Sequence, residues 1–144
     1  MLFRSASFAA PGMARQVALV ERGALGAVKV GNLDAQRDLT DVRDTVRAYA
    51  LLMESGTPGE VYNVSSGVAR PIRAVLDALL SRARTSIPVE TDPERMRPHD
   101  VAVLAGDSTR LHAATGWAPA ISFDRMLDDL LEYWRAEVAR PANS

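Results

Sequence analysis

The chain has 144 residues, a 47% hydrophobic share, no cysteine and a formal net charge of -1. That is long enough for one domain with a real core, and it excludes a disulfide framework, a thiolate nucleophile and a zinc–thiolate site. Its 17 basic and 18 acidic residues give no cationic excess for nucleic acid and no acidic disordered tail.

Taken in chain order, PGMARQVALVERG predicts a short helix between Pro11 and Gly23, with Met13, Val17 and Val20 on one face. AVKVG reads as a strand, and RDLTDV as a second short extended piece running into a helix capped by Asp41. In that helix Val42, Val46, Tyr49 and Met53 form the expected apolar stripe. SGTPGE is a turn, and EVYNVSSG is a strand ending in a small-residue loop. Pro71 suits the first position of the next helix, whose stripe is Ile72, Val75, Leu76, Leu79 and Leu80. IPVET is a strand and DPERMRPHD a polar loop. DSTRLHAATGW is a short capped helix stopped by Gly116. The last helix starts at the Ser122 cap and carries Phe123, Met126, Leu127, Leu130, Leu131, Trp134 and Val138. Residues 141–144 are expected to fray. No repeat, low-complexity tract or interdomain linker stands out, and the alternation of helices and strands predicts an α/β fold.

Residues 1–7 are set apart from the fold as a non-native or disordered start. Met1–Ser5 is what ATG followed by the end of a common sequencing adapter would encode. No apolar run reaches the roughly 18 residues of a membrane span. With no secretory signal and no cysteine, a cytoplasmic location is expected.

Arg37 ends an extended run beside a turn, where a guanidinium's rigid fork of donors could meet phosphate oxygens; the plainer reading is a salt bridge with Asp38 or Asp41. In RMRPHDV, Pro98 stiffens the loop after Arg97, and Asp100 follows three residues later. A cation and a carboxylate so placed suit a phosphate next to a ribose, or an ion pair within a solvated loop. Neither His99 nor His112 has a ligand cluster around it, so no metal site is expected. Ser65, Ser66 and Gly67 would let a ligand approach the backbone. They do not form a hydrolase elbow, because Val64 stands where its first glycine would be, and no histidine completes a triad. Trp117 is expected to pack a turn.

Four stretches, VGNLDAQRDLTDVRDTVRAY, GEVYNVSSG, RPHDVAVLAGDSTRL and ATGWAPAISFDRMLDDLLEYWR, occur in an order and spacing that resemble one family. This is the C-terminal half of extended short-chain dehydrogenases/reductases (epimerases and dehydratases) that act on sugar nucleotides. The nearest branch is GDP-mannose 4,6-dehydratase with the GDP-4-keto-6-deoxymannose reductase that follows it, and the resemblance runs from Phe8 to Val138. It implies the C-terminal part of an extended Rossmann-type NAD(P)-binding fold without its dinucleotide-binding half. It implies a GDP-sugar substrate, with Arg37 and Arg97 on opposite sides of the diphosphate and Asp100 on the ribose hydroxyls. The Gly31-Asn32 turn would lie near the base. Arg15, or Gln16 in its place, would be the polar position of the first helix that faces the nucleotide.

The family's glycine-rich loop and its catalytic Tyr-x-x-x-Lys pair have no counterpart in this chain. Tyr49, Tyr62 and Tyr133 each lack a lysine four residues on, and Lys29, the only lysine, precedes them all. The resemblance therefore implies substrate-binding residues without hydride chemistry, with NADP or NAD held by the missing Rossmann half. Family members are often dimers, so a homo-oligomer is open, although the helices usually used for that contact lie upstream. The alternative reading is a self-standing, non-catalytic nucleotide-sugar-binding or interaction module.

Overall fold

A computed structural model describes residues 6–96 and 100–140. The elements in order are α1 (Ala9–Glu21), β1 (Val28–Val30), β2 (Gln36–Asp38), α2 (Val42–Ser55), β3 (Ala69–Pro71), α3 (Ile72–Leu80), β4 (Val89–Thr91), a 3-10 turn (Pro93–Arg95), β5 (Val103–Leu104), α4 (Thr109–Thr115) and α5 (Phe123–Ala139). The class is α/β, as expected. Of the start set apart at residues 1–7, residues 1–5 lie outside the described residues, as do residues 97–99 and 141–144.

The main core lies where the sequence stripes converge. Met13, Ala14 and Val17 of α1 meet Val28 and Val30 of β1, Val75, Leu76 and Leu79 of α3, and Leu127 and Leu131 of α5. Each fully buried leucine contributes about 2 kcal/mol. β1 and β4 pair in parallel with Val28 opposite Val89, and β2 lies between β3, antiparallel, and β5, parallel. A smaller core gathers Ala48, Leu111 and Trp117, with Leu51, Leu52, Tyr62 and Val64 against them. Trp117 is thus a core residue, and its indole N–H donates to the Asp44 carbonyl at 2.9 Å.

Local signals hold at the caps. Asp41 accepts from the Arg43 N–H at 2.8 Å, Ser122 accepts from the Arg125 N–H at 3.2 Å, and Gly116 closes α4 at φ 69°. The first helix begins at Ala9, two residues before Pro11, because a first-turn proline lacks only an N–H that would have no helical partner. Pro71 precedes α3 as its extended cap residue.

Two expectations fail for tertiary reasons. In α2 the stripe Val46, Tyr49 and Met53 faces outward, and the helix buries Asp44 and Ala48 instead. Residues 60–67 join no ladder among the described residues; the pairing falls later, at β3. Val103 and Leu104 lie between the expected loop and the expected helix, and they form β5 because β2 offers them a parallel partner.

Candidate functional site

Successive side chains of a strand point to opposite faces, and the Arg-Asp pair of β2 uses this to serve two separate clusters. On one side the Arg37 guanidinium donates to the carbonyls of Gln36 and Val101, both at 2.7 Å, and to Asp100 Oδ1 at 2.5 Å. Asp100 Oδ2 accepts from the Asn32 side-chain amide at 3.1 Å, and Asn32 Oδ1 accepts from the Asp34 N–H at 3.0 Å. Three residues from two distant stretches therefore share one hydrogen-bonded cluster. The side chains of Arg37 and Asp100 keep 24% and 17% of their surface open, so both remain within reach of a ligand.

The turn before Asn32 is sterically fixed. Gly31 lies against the main chain of Arg95, and a Cβ at this position would overlap the Arg95 carbonyl oxygen. Asp92 N–H in turn donates to the Val30 carbonyl at 2.8 Å. The segment entering the Arg-Pro stretch is thus seated on the Gly31-Asn32 turn, and the segment leaving it is held at Asp100. Arg97 itself lies outside the described residues. Arg15 is exposed on α1, and its guanidinium lies over the Trp134 ring of α5, 5.9 Å from the centroid. It makes no contact with the cluster among the interactions described for Arg37, Asp100 and Asn32. Gln16 is buried and bonds both the N–H and the carbonyl of Lys29. The ion pair of Arg37 is with Asp100, and neither Asp38 nor Asp41 takes that place.

Asp38 serves the other cluster, which the sequence did not reveal. Its Oδ1 accepts from the Ser66 N–H at 2.9 Å and the Ser66 hydroxyl at 2.5 Å, and its Oδ2 accepts from the N–H groups of Gly67 at 2.8 Å and Gly106 at 3.3 Å. The small residues at 65–67 let main chain approach main chain: a Cβ on Gly106 would come within 2.5 Å of the Ser65 Cβ. The one signal available was a carboxylate in a strand together with a later Ser-Ser-Gly.

A cleft of about 400 Å³ borders these loops, lined by Gly67, Gly106, Asp107, His112, Trp117 and Pro119 among others. None of Arg37, Asp100, Asn32 or Arg15 lines it. Thr109 holds the Asp107 carboxyl below the ordinary aspartate value, and His112 Nδ1–H donates to the Trp117 carbonyl at 3.0 Å. Among the described residues no group of three or more acids and histidines is placed to hold a metal ion, and no helix is long and apolar enough to cross a membrane.

The family model described as GDP-mannose 4,6 dehydratase matches residues 2–130. The chain belongs to that family. Within the GDP-mannose 4,6-dehydratase family, the chain is 36% identical over 133 residues to GDP-6-deoxy-D-mannose reductase of Pseudomonas aeruginosa, covering 92% of this chain and 44% of that protein. It is 26% identical over 146 residues to human GDP-mannose 4,6 dehydratase, covering 89% of this chain and 39% of that one. A solved structure of RMD from Pseudomonas aeruginosa complexed with NADPH superposes with a TM-score of 0.85 at 34% identity, over 93% of this chain and 44% of that chain. UDP-glucose 4-epimerase from Bifidobacterium longum, in complex with NAD+ and UDP, follows with a TM-score of 0.70 at 25% identity, over 87% and 39%. The chain thus spans less than half the length of these relatives and corresponds to their C-terminal part.

The dinucleotide found in those relatives needs a glycine-rich turn between a strand and a helix. The described residues do not supply one. β2 passes through Leu39, Thr40 and Asp41 into α2, β3 runs directly into α3, and β5 passes through Ala105, Gly106, Asp107 and Ser108, with a single glycine, into α4. The phenol of Tyr62 accepts from the Thr57 N–H at 3.0 Å, and Lys29 is exposed on β1.

Proposed function

We propose that this chain is the sugar-nucleotide-recognising portion of an NAD(P)-dependent dehydratase or reductase of the GDP-mannose 4,6-dehydratase family. The observation that carries this reading is the cluster of Arg37, Asp100 and Asn32, drawn from separate stretches and partly open to solvent. A guanidinium beside a carboxylate matches a diphosphate next to a ribose: the cation meets phosphate oxygens and the acid accepts from sugar hydroxyls. Asn32, on the turn fixed by Gly31, would lie toward the base. Arg97 and Arg15 complete the proposed set on the family resemblance alone. The substrate class is a GDP-sugar. The cofactor, NADP or NAD, would be held by the part of the enzyme that this chain does not match, because its own residues provide no cradle. No step of hydride transfer is therefore assigned to this chain.

The test is calorimetric titration with GDP. Arg37→Ala and Asp100→Asn should each weaken binding by about tenfold, the equivalent of losing one charge-assisted contact. Unchanged affinity in both variants would overturn the assignment. The chain alone, given GDP-mannose and NADP, should show no turnover, and activity attributable to it would overturn the separation of binding from chemistry.

A further inference from the structure

Arg37 has a counterpart directly across the sheet. β2 and β3 run antiparallel, with Arg37 facing Arg70 and Gln36 facing Pro71. Two features hold this register. The Ile72 N–H donates to the Ala35 carbonyl at 2.9 Å. Hydrogen-bonded pairs alternate along an antiparallel ladder, so Pro71, which has no N–H, falls where none is needed. Directly opposed residues project from the same face. Two guanidinium groups therefore leave one face of the sheet side by side.

Like charges directly opposed destabilise a sheet when nothing lies between them. The two arginines differ in what they hold. Arg37 spends its donors on Asp100 and on the carbonyls of Gln36 and Val101, and with Asp100 it forms a pair of no net charge. Arg70 is exposed, and its guanidinium lies over the Phe123 ring at the start of α5, 4.8 Å from the centroid. A ring face steadies a cation but leaves its charge uncompensated and its forked N–H donors without an oxygen. Among the described residues no carboxylate pairs with Arg70, whereas Arg73, three positions on, faces Asp34 at 3.6 Å.

We infer that Arg70 is a further phosphate-binding residue, which takes the phosphate farther from the ribose in a bound nucleoside diphosphate. The inference rests on the reading of Arg37, Asp100 and Asn32 as the nucleotide cluster. A diphosphate carries more than one negative charge, and a neutral Arg37–Asp100 pair leaves that charge unbalanced; Arg70 supplies an unspent cation beside it. Strand order assigns the phosphate. β2 lies between β3 and β5, so Asp100, on the β5 side, and Arg70, on the β3 side, flank Arg37. A ligand with its ribose at Asp100 sets its first phosphate at Arg37 and its second toward Arg70. Neighbouring strands lie about 4.8 Å apart, a gap that two long side chains close onto adjacent phosphate groups. Phe123 holds the Arg70 guanidinium in advance, which reduces the side-chain freedom lost on binding.

The test titrates the chain calorimetrically with GDP and with GMP, which lacks the outer phosphate. Arg70→Met keeps an apolar side chain against Phe123 and removes the charge. It should weaken GDP binding by about tenfold, leave GMP affinity unchanged and leave the melting temperature unmoved. Arg70→Lys keeps the charge without the fork and should recover part of the loss. Arg37→Ala should weaken both nucleotides. A chain in which Arg37→Ala weakens GDP but Arg70→Met does not refutes the role of Arg70 and leaves the nucleotide reading standing. Equal weakening of GDP and GMP by Arg70→Met overturns the assignment to the outer phosphate. A lower melting temperature with an unchanged GDP-to-GMP ratio makes Arg70 a clamp on Phe123 and nothing more, which also overturns it. If neither variant alters GDP binding, or the folded parent binds neither nucleotide, this inference and the nucleotide reading fall together. Should Arg70→Met not fold, the GDP-to-GMP ratio of Arg70→Lys decides: a fall supports the role of Arg70, and no change refutes it.

Discussion

Arg37 on β2 and Asp100, at the head of the segment that becomes β5, are ion-paired at 2.5 Å. The same guanidinium also ties down the Val101 carbonyl, so the pair is both a candidate ligand contact and a fastening between two parallel strands. A lysine cannot reproduce this, because an ammonium is a point charge without the planar fork. Arg37→Lys should therefore cost about 1 kcal/mol of stability while keeping more GDP affinity than Arg37→Ala. Urea unfolding and calorimetry on the two variants check the two halves of that statement.

Asp38 holds three main-chain N–H groups and a hydroxyl that come from two other loops. Asp38→Ala leaves those donors unmatched and should cost about 2 kcal/mol, with Asp38→Asn recovering part of it. The measurement is the denaturation midpoint. Loss of protection at the Gly67 and Gly106 amides would locate the damage.

Asp44 is 2% exposed and joins α2 to the loop before α5. It accepts from Arg47 at 2.8 Å and from the N–H groups of Ala120 at 3.0 Å and Ile121 at 2.9 Å. Burial pushes its carboxyl up, but these donors outweigh burial and leave it below the ordinary aspartate value. Asp44→Ala leaves the Ala120 and Ile121 amides without their acceptor and should cost about 3 kcal/mol. A near-ultraviolet signal from Trp117, whose indole bonds the Asp44 carbonyl, should change with it.

Glu21 of α1 is bridged by Arg135 of α5 at 2.8 and 2.5 Å and receives the Arg84 N–H at 2.9 Å. The Arg135 bonds, opposed by burial, hold its carboxyl below the ordinary glutamate value. A depressed folded-state pKa gives stability that is complete above the unfolded value, about 4.3, and is lost as pH falls through the depressed one. Glu21→Gln should thus be less stable than the parent at neutral pH by roughly 2 kcal/mol, with the gap closing below about pH 4. Thermal melts across that range read the convergence directly.

The sequence by itself determined what local chemistry decides. Caps at Asp41, Ser122 and Gly116, and the single-sided stripes of α3 and α5, follow from side-chain hydrogen bonding and from which residues fall on one helical face. Motif order carried the family as well. Only the tertiary structure decided which side of α2 is inner, since both sides are apolar and periodicity cannot rank them. It alone joined Arg37 to Asp100 and Asp38 to the Ser66 loop, because contacts between residues 63 and 28 positions apart depend on strand register, which no local pattern encodes. Residues 60–67 show the converse: their apolar pattern reads as a strand in the sequence, but a ladder needs a neighbour, and pairing is a property of the whole fold.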